Sequence, residues 1–210
     1  MSPLPTQMIN RWQNRKEPGP GQGTIYWHIL LGDQPEARNA AQIARKRLAD
    51  FSGLHMPPLE WLHITTLVVG HTDEITAGQQ QDMLAAASEL LADLPPVDVT
   101  LGRVLYHPEA IATEAQPTGP LKQIRNAVQT ATLKVTGREG HTEGPTQWLP
   151  HMTLAYSETN QPAEPLITAL GRELPPTEFQ INAVTLVAQQ GPERLWDWHP
   201  VGRLPLVGCR

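Results

Sequence analysis

One cysteine, Cys209, is all this sequence contains. No disulfide framework and no cysteine-based zinc site can therefore form within the chain. Long apolar runs are also missing. Nothing approaches the roughly 18 residues a membrane-crossing helix needs, so no membrane span is expected. The opening stretch has no apolar core of the kind a secretory signal carries, and a cytoplasmic location is expected. Charge is sparse at 18% and sums to -5. That excludes a protein that coats nucleic acid non-specifically, yet leaves room for a local basic patch that takes a small nucleotide or an RNA end. No Gly-x-Gly-x-x-Gly follows a strand, Lys16 and Lys46 lack a phosphate-loop context, and no His-Glu-x-x-His occurs. No triphosphate loop, no metal and no cofactor are expected.

What is present is an ordinary globular composition, 40% hydrophobic over 210 residues, enough for one large domain or two small lobes. Residues 1–22 read as a loosely held arm ending in a Pro- and Gly-rich run, and the folded domain is placed at 24–206. Strands are predicted at 24–31, 61–69, 97–106, 109–115, 151–157, 178–189 and 194–206. Helices are predicted from Pro35 to about Phe51, from about Thr76 to Leu94, from Pro120 to about Val135 and from Ala163 to Leu174. Strands separated by helices within each half point to two similar α+β lobes.

Two short units stand out on these strands, His63-Ile64-Thr65 and His151-Met152-Thr153. The strand period of two puts the histidine and threonine of each unit on one face, with Ile64 and Met152 on the other. The same parity puts Leu62, Ile64, Thr66 and Val68 together, opposite His63, Thr65, Leu67 and Val69. A pair of such units suits a phosphodiester. One neutral imidazole takes a proton from the attacking hydroxyl, and the other, protonated, gives one to the leaving oxygen. Two threonine hydroxyls donate hydrogen bonds to the non-bridging oxygens. The competing readings are a binding module that kept the groove without turnover, and a structural protein in which both units are core residues.

The segments LHITTLVV (62–69) and PHMTLAYS (150–157) resemble the paired signatures of the 2H phosphoesterase superfamily. Within it the resemblance is strongest to the bacterial 2'-5' RNA ligase and RNA 2',3'-cyclic phosphodiesterase group. The resemblance implies an α+β, bilobal fold: two pseudo-symmetric lobes with mainly antiparallel sheets flanking a central groove. It implies activity on 2',3'-cyclic phosphates or 2'-5' linkages of RNA ends or small nucleotides. Carried over residue by residue, it makes His63 and His151 the catalytic pair and Thr65 and Thr153 the phosphate-binding hydroxyls. The expected partner is an RNA terminus or small nucleotide, and a monomer with no obligate protein partner is expected. Two departures are visible: the arm ahead of the first strand, and Ala155-Tyr156 where relatives carry basic residues.

Four further residues are candidates for lining the groove. Tyr26 and His28 share a face of the first strand, with Trp27 assigned to the core. Tyr156 falls on the face opposite Thr153 unless a bulge intervenes. Arg103 offers a charge to offset phosphate, as do Lys134, Arg138 and His141. The basic stretch 118–138 otherwise reads as a solvated helix face. Trp196 and Trp198 are assigned to packing.

Overall fold

The computed structural model describes residues 4–13, 15–19, 21–142 and 148–208; Cys209 lies outside them. In chain order the elements are β1 (Gln7–Met8), β2 (Gly23–Leu30), α1 (Pro35–Arg47), β3 (Leu54–His55), β4 (His63–His71), α2 (Ala77–Leu91), β5 (Val97–His107), β6 (Ala110–Gln116), α3 (Thr118–Thr136), β7 (His151–Ser157), β8 (Gln161–Pro162), α4 (Glu164–Leu170), β9 (Glu173–Ile181), β10 (Ala183–Gln190) and β11 (Trp198–Pro205). Pro35 sits in the first turn of α1, where a missing N–H costs nothing. A reciprocal Thr76–Gln79 capping box starts α2, and Gly137, at φ 70°, ends α3.

The main strands pair antiparallel in the order β11-β10-β2-β4-β7-β6-β5-β9. This is an α+β architecture of two four-stranded lobes, β11-β10-β2-β4 and β7-β6-β5-β9. Between them β4 and β7 are joined by one registered pair, Ile64 with Met152. Those are the central residues of the two His-x-Thr units, so the junction of the lobes runs through both motifs. Behind the sheet, α2 and α3 pack on each other, α2 against β11 and α3 against β4, while α1 lies against β9. Trp27 is fully buried there, and its Nε1–H donates to Thr132 Oγ1 of α3 over 3.1 Å.

The lobes are not the two halves of the chain. Strand β5 belongs with the second lobe, and the C-terminal β10 and β11 complete the first. The single strand expected at 178–189 is two strands in different lobes, parted at Asn182. Helix α4 ends at Leu170 rather than Leu174, and β9 already contains Pro175 and Pro176. Two prolines are tolerated there because β9 is an edge strand, pairing only with β5.

The described part of the N-terminal arm is packed rather than loose. Strand β1 pairs with β8, and Met8 is 0% exposed within the core. No helix among the described residues is long and apolar enough to cross a membrane.

Candidate active site

With Ile64 opposite Met152 in an antiparallel pair, His63 falls toward Thr153 and Thr65 toward His151. All four side chains project from the face opposite the helices. The two histidines occupy one diagonal of this array and the two threonines the other. Such diagonal neighbours lie about 7–8 Å apart.

The backbone treats both units alike. His63 Nδ1–H donates to Trp61 O (2.7 Å), and His151 Nδ1–H donates to Leu149 O (2.8 Å). A carbonyl can only accept, so each contact fixes Nδ1 as the protonated nitrogen and leaves Nε2 with the lone pair of the neutral ring. Each unit is also followed by a bulge. In β4 the partners of Tyr26, Trp27 and His28 are Val68, Leu67 and Thr65, which makes Thr66 the extra residue. Its hydroxyl donates to Trp27 O over 2.7 Å. In β7 the partners of Ile111 and Ala112 are Ala155 and Thr153, which makes Leu154 the extra residue.

These bulges correct the strict alternation read from sequence. Beyond Thr66 the parity reverses, so Leu67 and Val69 enter the core while Val68 joins the face of His63 and Thr65. Beyond Leu154, Tyr156 comes round to the face of His151 and Thr153. It is buried there, within an aromatic cluster that holds Val187, Trp196 and Trp198, with Trp12 and Trp61 at its margin.

That cluster makes the two histidines unequal. The His63 ring centroid is 4.6 Å from Trp198, 4.4 Å from His28 and 6.2 Å from Trp196, and the residue is only 8% exposed. Burial pushes its pKa down from 6.5 to about 4; the Trp61 carbonyl and Glu193 partly oppose this, and His151 adds to it. His151 is half-buried and lacks such a cover among the described residues. Its strand partner is Glu114, a buried carboxylate that accepts from Arg103 (2.9 Å) and from Gln116.

The remaining candidates divide. His28 is 1% exposed, stacked between Tyr26 and Trp198, and burial followed by His63 holds its pKa well below 6.5. It backs His63 rather than facing solvent. Tyr26 lines a cavity of about 700 Å³ together with Val68, His141, Arg11, Arg15 and Glu193. None of the four motif residues lines that cavity. It adjoins them nonetheless, because Tyr26–Val68 is the next pair along this face from His28–Thr65. Arg103 is half-exposed and held by Glu114. Arg138 pairs with Glu74, and Arg125 of the supposedly solvated face lies over the Trp148 ring at 5.7 Å. Trp148 in turn donates to Thr65 O (2.9 Å), bracing the first motif from just ahead of the second. Among the described residues no three His, Cys, Asp or Glu side chains gather as a metal site requires.

The packing role assigned to Trp196 and Trp198 is what the structure shows, though against His63, while Glu193 and Arg11 were passed over as contributors to this region. The only signal of the aromatic cluster was compositional: tryptophan (six) outnumbers tyrosine (three) and phenylalanine (two) together.

Comparison with known proteins bears on family and fold. The model of the 2'-5' RNA ligase superfamily matches residues 34–193. No curated protein matches the sequence. Among solved structures, TT0787 of Thermus thermophilus superposes with a TM-score of 0.67 at 19% identity, covering 89% of this chain and 100% of its own. LigT of E. coli, complexed with 3'-AMP, gives 0.62 at 17% identity, covering 88% and 98%. The PDE domain of MHV ns2 gives 0.56 at 12%, covering 79% and 98%. At these identities the likeness is one of fold.

Proposed function

The chain belongs to the 2'-5' RNA ligase superfamily, one of the 2H phosphoesterase families, and from that membership we propose that it is a metal-independent phosphoesterase acting on 2',3'-cyclic phosphates or 2'-5' linkages of RNA ends or small nucleotides. The observation that carries this reading is the Ile64–Met152 pair, which sets two histidines and two threonines on one face of the lobe junction.

In the proposed reaction Thr65 and Thr153 donate to the non-bridging phosphate oxygens and hold phosphorus between the imidazoles. His63, kept neutral by burial and presenting Nε2, takes the proton from the attacking water. His151, the more exposed of the two, protonates the departing ribose oxygen from Nε2 while its Nδ1–H stays on Leu149 O. In ligation a terminal 5'-hydroxyl takes the place of the water and the roles stay as written; in the reverse cleavage of a 2'-5' linkage they exchange. The small-nucleotide part of this reading draws support from LigT, whose structures include complexes with 3'-AMP, NADP+ and ATP. A monomeric, cytoplasmic enzyme is part of the same proposal.

The test is a turnover screen with 2',3'-cyclic nucleotides, 2'-5' dinucleotides and RNA ending in a cyclic phosphate, run in excess chelator. Hydrolysis of at least one of them is expected. Binding without turnover of any would replace the enzyme with a nucleotide-binding module.

A further inference from the structure

The proposed reaction makes no use of the segment ahead of β2, yet that segment is held at many points. On one side it is fastened to the second lobe. Besides the β1–β8 pairing, Ile9 N–H donates to Pro108 O (2.7 Å), Arg11 N–H to Ser157 O (2.9 Å), and Ala163 N–H to Thr6 O (3.1 Å). On the other side Arg11 crosses to the connection between β10 and β11 in the first lobe. Its Nη2 donates to both carboxylate oxygens of Glu193 (2.9 and 3.1 Å), and its Nε donates to one of them (3.2 Å). Its guanidinium lies 4.4 Å from the Tyr156 ring centroid and 5.5 Å from that of Trp12. The side chain is 7% exposed and also 3.5 Å from Glu109, which Arg15 holds at 2.6 Å.

Through Tyr156, on the strand of the second motif, Arg11 adjoins the aromatic cluster: Tyr156 lies 6.3 Å from Trp196, which is 6.2 Å from the His63 ring. Glu193 acts on the charge state of His63. Arg11 and Arg15 of this N-terminal strap line the 700 Å³ cavity together with Glu193, Tyr26, Val68 and residues 140–142. Sites for single small molecules typically measure about 300–1,000 Å³. Arg11 and Arg15 are each held by a carboxylate, Glu193 and Glu109, and Glu17 pairs with Arg194, so a polyanion running past gains little attraction from these two arginines.

We propose that Arg11 is a specificity-determining residue: it clamps the N-terminal strap across one end of the groove, so that a mononucleotide-sized phosphate ester fits and a longer RNA strand is turned away. The inference rests on the function proposed above and deepens it.

The experiment uses the full chain as wild type, Arg11→Ala and Arg11→Lys, each checked for folding by circular dichroism. Two ratios are measured. One is kcat/KM on 2',3'-cyclic AMP against an RNA of about a dozen nucleotides ending in a 2',3'-cyclic phosphate. The other is the affinity for 3'-AMP against the same RNA ending in a 3'-phosphate. Wild type should favour the mononucleotide by about tenfold or more, and Arg11→Ala should cut that preference at least about fivefold through a gain on the RNA. Arg11→Lys, with a point charge in place of the fork, should fall between them. Unchanged ratios in folded variants, or a wild type that takes both ligands equally, would overturn the inference. Should wild type turn over nothing, the proposed function fails and the affinity ratio alone decides the clamp. Binding of neither ligand would overturn the clamp as well. If Arg11→Ala does not fold, Arg11→Lys carries the test.

Discussion

The two His-x-Thr units are built alike and covered differently. In each, the histidine Nδ1–H is tied to the carbonyl two residues back, the central residue joins the lobe junction, and a bulge follows the threonine. Around the first unit, however, His28, Trp196 and Trp198 press on the His63 ring. Around the second, His151 keeps solvent contact beside the buried Glu114. A repeated backbone thus presents two imidazoles in one orientation, while side chains from distant parts of the chain make one of them hard to protonate. A pseudo-symmetric site becomes chemically asymmetric without altering either motif.

The sharpest way to probe the shared half of that comparison is to remove each imidazole. His63→Ala and His151→Ala should each lower kcat by roughly 10²–10⁴-fold on a cyclic nucleotide, with circular dichroism unchanged. Full activity in either variant would break the pairing. Thr65→Val and Thr153→Val keep the shape and lose the donor. Each should lower kcat/KM by roughly 10²-fold, and a marked disparity between them would mean that the phosphate leans on one lobe.

The unequal half is tested through pH. Trp198→Leu opens the cover over His63 and should raise its pKa from about 4 toward 6.5. The acid limb of the kcat/KM profile should then move to higher pH, and an unmoved limb would detach Trp198 from His63. Stability carries the same signature. The folded pKa lies below the unfolded 6.5, so between about 4 and 6.5 the unfolded chain binds more protons. Stability is full above about pH 6.5 and falls as pH drops toward 4, by an amount on the order of 3 kcal/mol for the whole shift. The lowered pKa of His28 acts in the same direction. Urea midpoints at pH 7 and pH 5 should differ less in His63→Asn than in wild type. The smallest expected effect is none at all: excess chelator should leave turnover unchanged.

How far the sequence carried this is best judged residue by residue. The same-face relation of His63 with Thr65, and of His151 with Thr153, follows from a period of two and needed only two short strands. The bulges did not show, because one extra residue leaves an ordinary-looking apolar run. They reversed the assignments of Leu67, Val68, Val69 and Tyr156. The crossing at Asn182 was hidden inside a continuous strand-like stretch, although Pro175-Pro176 marked an edge strand in retrospect. Least legible were the contacts between distant segments. Arg11 with Glu193, and His63 with Trp198, join residues that share no local pattern. Those long-range contacts distinguish the two motifs and set the strap in place.

The central claim is that both units serve one phosphate. It is tested most directly by a crystal structure of the full chain grown with 3'-AMP. The account expects the phosphate between the lobes, with Nε2 of His63 and His151 and Oγ1 of Thr65 and Thr153 each within about 3.2 Å of its oxygens. A phosphate bound in that crystal away from either motif, or held by one motif alone, would contradict it.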